Sequence, residues 1–294
     1  IKQDFLRYMV MVGELSLTGE VRGVCGVLPI IIEARKLGYK YIVIPYENKE
    51  EAKFVADIKV IAVKNLKELA QILNGEKKPY IVPKEKIKYC DNKIFGIPDF
   101  ADIKGQQQPK RAAQIAAAGG HNLLLIGSPG TGKSMLAKAL PGILPDLTFE
   151  EALEVTKIHS VAGELKSEHG GIITKRPFRR PHHTSTAAAI LGGGIKIQPG
   201  EISLAHRGIL FLDELPEFQR DIREALRQPM EDKKVSIARA NQKVTYPADF
   251  MLVASMNPCP CGYYGDGNGK CRCSQNQISN YLNNISGPFL DRID

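Results

Sequence analysis

The 294-residue chain has no apolar run approaching the roughly eighteen residues that a membrane-spanning helix requires. Its N-terminus, IKQDFLRYMVMVGEL, lacks the basic-then-apolar order of a secretory signal. Cysteine is scarce as well: six residues, four of them crowded between Cys259 and Cys273. These absences argue against a disulfide-dense secreted scaffold and predict a soluble, cytoplasmic protein that enters no membrane. Thiols stay reduced in that compartment, so the cluster leans towards metal rather than disulfide. The first residue is Ile rather than Met, which predicts a fragment or a processed product.

What is present reads as globular. With 43% hydrophobic and 24% charged residues the chain can bury a sizeable core and is long enough for two domains. A net charge of +8 permits a nucleic-acid partner without requiring one. From Val10 to Leu73 short apolar runs (YIVIP, KVIAV) alternate with helical patterns (VLPIIIEARKLG, NLKELAQIL), the signature of an α/β layer with its own small core. That predicts a first domain over 1–75. A proline- and lysine-rich stretch without helical periodicity predicts a linker over 76–100. A second domain is then expected over 101–294, opening on the helix PKRAAQIAAAGG.

Residues 127–134, Gly127-Ser128-Pro129-Gly130-Thr131-Gly132-Lys133-Ser134, fit G-x-x-x-x-G-K-[ST] and lie between an apolar strand and a helix, the context that a phosphate loop needs. Glycines let backbone N–H groups curl round the β-phosphate, and the helix N-terminus adds its positive dipole. Lys133 is expected to reach the β- and γ-phosphates of ATP, and Ser134 to hold Mg²⁺. Eighty residues on from that lysine, the apolar strand GILFL runs into Asp213 and Glu214. Asp213 would order the metal's water shell and Glu214 would polarise the attacking water. An isolated Asp-Glu after a strand can equally be a solvated helix start; the upstream loop favours catalysis.

A third strand, FMLVASM, ends at Asn257, whose amide would lie between the two nucleotide strands as a sensor, or else form a turn before Pro258. Near the end, SGPFLDR offers Arg292, which cannot easily serve its own site and suits a finger donated to a neighbouring subunit, or a plain surface ion pair.

The set GSPGTGKS, HRGILFLDEL, MNPCPCG and SGPFLDRID, together with PHHTSTAAAILGGG, resembles the magnesium-chelatase-type branch of the AAA+ ATPases and within it the ComM/YifB family. That resemblance implies a P-loop AAA+ core, a parallel sheet sandwiched by helices, preceded by a partial Lon-protease-like α/β domain of ribosomal S5-like fold. The region where a Lon protease carries its catalytic lysine reads CGVLPIIIEA here, so proteolysis is not expected. The family's helical lid normally follows the point where this sequence stops. The resemblance implies a homo-oligomeric, hexameric ring and an ATPase acting on DNA, a helicase or branch-migration factor in recombination or natural transformation. Alternatives are a chelatase motor subunit and a protein-remodelling or regulatory ATPase.

In this ATPase branch the insertion between the phosphate loop and Asp213 faces the ring pore. It contains TKRPFRRPHHTS and GGGIK, which makes Arg179, Arg180 and Lys196 candidate DNA contacts, with His182 and His183 as a packed turn or a support on the nucleotide side. A second candidate is the hairpin predicted around Ala240-Asn241-Gln242, whose tip carries Arg239, Asn241 and Lys243. The stretch CPCGYYGDGNGKCRC places Cys259, Cys261, Cys271 and Cys273 as two C-x-C pairs around a Gly-rich tip. Folded as a short hairpin it could hold structural Zn²⁺ in tetrahedral geometry; a redox-active pair or plain reduced thiols are the alternatives. The expected role is a clamp on the segment joining Asn257 to Arg292.

Overall fold

The structure is a computed structural model describing residues 6–85, 98–165, 171–194, 197–239, 242–267 and 269–294, the Arg239 side chain excepted. It forms two compact units, one made of 1–90 with 148–174 and the other of 91–147 with 175–294.

In the first unit β1 (Met9–Met11), the hairpin β2 (Glu14–Leu15) and β3 (Val21–Arg22), α1 (Val27–Lys36), β4 (Tyr41–Pro45), β5 (Lys59–Val63) and α2 (Leu66–Asn74) follow in order. Strands β1, β4 and β5 make a parallel sheet in that order. Helix α1 turns Val27, Leu28, Ile31, Ile32 and Ala34 onto one core with Ile42, Ile44 and Val60, the i, i+3, i+4 spacing of an amphipathic helix. The opposite face of β4 and β5 carries Val43, Ile61 and Val63 onto a second cluster with Met9 and Leu69. Of the linker expected over 76–100, residues 86–97 lie outside the described ones, and the part before them belongs to the sheet: Ile81 bridges Ile61, and Val82 is buried with its N–H on Val60 O at 2.9 Å. Tyr80-Ile81-Val82 is a short edge piece between Pro79 and Pro83, which cannot donate to a ladder and so stop it from lengthening.

The second unit opens with α3 (Gln107–Gly119), β6 (Leu123–Ile126) and α4 (Lys133–Ala139). The chain then returns to the first unit for α5 (Phe149–Ala162). A capping box between Thr148 and Glu151 starts α5 and Gly163, at φ 74°, ends it. Ser160 Oγ donates to Glu51 at 2.6 Å, and Leu153 packs on the α1 core. An unbroken second domain from 101 is therefore not what forms: the apolar face of α5 finds its partners in the first unit.

Back in the second unit come β7 (Phe178–Arg179), α6 (Ala187–Leu191), β8 (Gly192–Gly193), β9 (Gln198–Pro199), α7 (Glu201–Leu204) and β10 (Ile209–Leu212). After them come α8 (Arg220–Asp232), β11 (Lys234–Arg239), β12 (Gln242–Pro247), β13 (Met251–Met256), α9 (Gln275–Asn283) and α10 (Gly287–Leu290). Strands β6, β13, β10 and β7 lie in that order, all parallel. Alternation along the central strands separates two cores. Leu210, Leu212, Leu252, Ala254 and Met256 face one, with Phe218, Ile222 and Phe289; Ile209, Phe211, Met251 and Val253 face the other, with Ala113, Ala116 and Leu136. Phe211 stacks on Phe178 with ring centroids 5.9 Å apart, an arrangement worth about 0.5–1.5 kcal/mol beyond the area it buries. No helix among the described residues is long and apolar enough to cross a membrane.

Candidate functional site

In a parallel sheet covered on both faces, loops at the carboxyl ends of the strands are the free places for a ligand. Three such ends converge here. Strand β6 runs into Gly127–Ser134 and thence α4; Gly130 (φ 79°) and Gly132 (φ 85°) hold left-handed backbone that a Cβ would penalise. The turn leaves the first N–H groups of α4 without acceptors inside the helix. Lys133 Nζ curls over the loop, donating to Gly127 O (2.5 Å), Ser128 O (3.0 Å) and Asn257 Oδ1 (3.3 Å). Burial holds its ammonium below the ordinary lysine range, with Asp213 and Glu214 pulling the other way.

Strand β10 delivers Asp213. Its carboxylate accepts from Ser134 Oγ at 3.1 and 3.4 Å and from Ser255 Oγ, and it pairs with Arg180 Nη2 at 2.5 Å. Glu214 follows in left-handed conformation (φ 57°, ψ 53°), a strained setting for a residue with a Cβ and one that recurs at functional sites. Its N–H donates to Ser255 Oγ at 3.4 Å, and its side chain, 58% exposed, faces His183 Nδ1 at 3.6 Å. Strand β13, between β6 and β10, brings Asn257 to Lys133. An oxygen pair from Ser134 and Asp213 at hydrogen-bond distance is a donor set that fits Mg²⁺.

Several residues of this site escaped sequence reasoning. Arg180 and Arg179 were expected on a flexible pore-facing loop. Instead Arg180 faces Asp213, and Arg179, on β7, forks onto Glu201 at 2.6 and 2.8 Å. The β7–β10 register, Arg179 opposite Leu210, sets which way each guanidinium turns. Arg180, His182, His183, Asp213 and Glu214 line a cleft of about 400 Å³, so the histidine pair takes the nucleotide-side position. Ser255 was hidden inside an apolar strand. A second cavity, about 490 Å³, adjoins the loop and is lined by Ile103, Gln106, Pro109, Leu123, Ile126 and Leu136 among others. Gln106 Nε2 donates to Thr131 O at 3.2 Å; the signal for it was the unusual Gly105-Gln106 pair, both left-handed, ahead of α3.

Arg292 lies elsewhere. Asn122, just before β6, donates to Arg292 O at 2.8 Å and accepts from Leu252 N at 2.8 Å, which puts the arginine at the amino ends of the strands, opposite its own phosphate loop. Its guanidinium pairs with Glu231 and caps Pro288 O.

The two loops read as DNA-facing are hairpins that pack together. Strand β8 pairs β9, β11 pairs β12 with Arg239 opposite Gln242, and Tyr246 Oη donates to Ile197 O at 2.9 Å across them. Lys243 is exposed on β12; Lys196, Asn241 and the Arg239 side chain lie outside the described residues.

All four clustered cysteines are free thiols whose sulfurs lie within 4.8 Å of one another, with Sγ–Sγ distances of 3.3, 3.8 and 3.7 Å for 259–261, 259–271 and 261–271. A tetrahedral Zn–S bond of about 2.3 Å gives S–S edges near 3.8 Å, so the set fits zinc. Backbone N–H groups of Tyr263 and Arg272 hold the Cys261 thiol down to about 6.

Comparison with known proteins bears on this arrangement. The family described as "Magnesium chelatase, subunit ChlI" matches residues 99–294, and "Subunit ChlI of Mg-chelatase" matches 1–48. Competence protein ComM of Haemophilus influenzae is 46% identical over 293 residues, 98% of this chain and 56% of that protein. The uncharacterized protein YifB of Escherichia coli is 46% identical over 285 residues, 97% of this chain and 54% of that one. The chain thus spans about half the length of these relatives. The magnesium-chelatase 38 kDa subunit of Rhodobacter capsulatus is 27% identical over 177 residues, covering 54% of this chain and 50% of its own. A cryo-EM-based complex of the magnesium chelatase subunits BchI and BchD aligns over 53% of each chain, at 24% identity and TM-score 0.42. With its phosphate loop, Asp213 and Asn257 at the ends of neighbouring strands of one parallel sheet, this chain belongs to the magnesium-chelatase-like AAA+ ATPases of the ComM/YifB family.

Proposed function

We propose that the protein hydrolyses ATP in a ring of identical subunits and couples that turnover to movement on DNA. The single observation that carries the ATPase reading is the convergence of Lys133, Ser134, Asp213 and Asn257 from three strands on one mouth of the sheet. The loop N–H groups and Lys133 bind the phosphates, and Ser134 and Asp213 would hold Mg²⁺, which when bound would supply positive charge beside the γ-phosphoryl group. Glu214, exposed and next to that carboxylate, orients and deprotonates the attacking water, with His183 fixing its rotamer. Arg180 balances the charge of Asp213. The cavity at Ile103 and Gln106 has mostly apolar walls and the amides of Gln106 and Gln108, a lining that suits the nucleotide base.

Arg292, at the far end of the sheet from its own site, is placed to be given to a neighbour's phosphate once it leaves Glu231; the alternative role is the ion pair with Glu231 itself. DNA as partner is supported by the packing of the two hairpins on each other and by Lys243, exposed on β12. ComM of H. influenzae is named a competence protein, which agrees with a role in recombination or transformation. The family match to a chelatase subunit favours, as a second reading, a motor that remodels a protein partner. The four thiols are proposed to bind one structural Zn²⁺.

Lys133→Ala should weaken ATP binding about 100-fold, and Glu214→Gln should retain binding while kcat falls by about 10²–10⁴, read by titration with a fluorescent ATP analogue and by phosphate release. Unimpaired hydrolysis in Glu214→Gln removes it from the base role. Arg292→Ala should be inactive alone and partly rescued when mixed with Lys133→Ala subunits; no rescue at any ratio argues against a finger given in trans. Single-stranded or branched DNA should raise the ATPase rate, with an effect that fades as salt rises. A rate indifferent to DNA, with no gel shift at low salt, leaves the protein-remodelling reading standing. Protein purified without added zinc should carry about one zinc per chain, and less than about half an equivalent counts against the site.

A further inference from the structure

The segment Asn257-Pro258-Cys259-Pro260-Cys261-Gly262 bears on the phosphate loop at both its ends. At one end Asn257 Oδ1 accepts from Lys133 Nζ at 3.3 Å. At the other, Gly262 adopts φ 86°, and a Cβ built there would stand 2.7 Å from Pro129 Cδ and 2.8 Å from Pro129 Cγ, with Asn257 Cγ at 3.8 Å. The glycine is thus required twice, by its left-handed backbone and by the closeness of the loop's proline. Between these two contacts stand Cys259, fully buried, and Cys261, which share the thiol cluster with Cys271 and Cys273. Inside the segment the Gly262 N–H donates to Cys259 O at 2.9 Å, closing one turn, and the Tyr264 N–H donates to Cys259 Sγ at 3.3 Å. The segment's two prolines donate no backbone N–H, it contains no helix or strand, and the second thiol pair arrives from the far side of a Gly-rich excursion.

We infer that the metal-bound thiol cluster is a strut that presses Asn257 and Gly262 against the phosphate loop, making Gly262 a positioning residue for nucleotide and making nucleotide affinity depend on metal occupancy. This rests on the zinc reading above. The physical cause is entropic: four ligands on one ion fix the six-residue span and the excursion behind it. Without the ion, close-packed thiols offer only weak mutual hydrogen bonds, and the loop's two outer contacts loosen. The strut touches the loop through Pro129 and through the amide next to Lys133, so its loss is expected to affect phosphate binding itself and not only turnover.

The test measures two quantities on the same purified protein: bound zinc by elemental analysis, and Kd for a fluorescent ADP analogue in the presence of Mg²⁺. Zinc is then stripped with phenanthroline, which leaves Mg²⁺ in place, and restored by adding Zn²⁺. The expected result is about one zinc per chain, a Kd about tenfold higher after stripping, and recovery on refilling. Gly262→Ala should raise Kd by a similar factor while keeping its zinc and its far-ultraviolet spectrum, because the added methyl meets Pro129. If Gly262→Ala fails to fold, stripping and refilling the unaltered protein decides alone. One zinc per chain with a Kd indifferent to its removal overturns the strut and leaves the zinc site intact. Absence of zinc from the purified protein overturns both.

Discussion

Asp213 organises the mouth of the sheet. A carboxylate delivered by a strand as apolar as ILFL must be compensated, and here the compensation comes from three directions: Ser134 from the phosphate-loop helix, Ser255 from the neighbouring strand and Arg180 from the chain beyond β7. Each donor belongs to a different element, so this one charge ties the loop, the sensor strand and the sheet edge into a common geometry. Ser255 also receives the N–H of Glu214, which places the backbone of that residue under the same control. The left-handed turn at Glu214 is what this arrangement demands: the chain must leave β10 sharply for Asp213 to stay with the serines while Glu214 swings to the exposed side.

Much of this was legible in sequence, and the reason is locality. The phosphate loop works through consecutive backbone N–H groups, so its spacing is its geometry, and GSPGTGKS appears as loop and helix start as expected. Asp213, Glu214 and Asn257 were legible because each ends an apolar run in a unit whose strands are parallel, and such runs end at the same edge. Ser255, Gln106 and the pairing of Arg180 with Asp213 were not, because each depends on a partner that sequence spacing does not supply. Ser255 stands one position from a buried methionine and reads as a small strand residue until β10 lies beside it. Arg179 and Arg180 read alike; a pairing register of two residues against Ile209 and Leu210 sends one to Glu201 and the other to Asp213.

The hairpins teach the same lesson in reverse. Alternation and a turn signal were enough to anticipate β11 and β12, but nothing local announced that Gly192 would press against Ile237 and Gln198, or that Tyr246 would lock one hairpin to the other. Gly192 therefore serves close approach as well as freedom.

The excursion of α5 has a consequence for where the two units can be divided. The chain passes between them at 90–91, at 147–148 and at 174–175, so each unit is assembled from two separate stretches of sequence. A nascent chain halted before Thr148 would carry the Gly127–Ser134 loop while leaving the first unit short of the helix that bears Ser160 and Leu153. A boundary drawn at 90–91 alone therefore cuts the first unit off from a helix that packs on its own core.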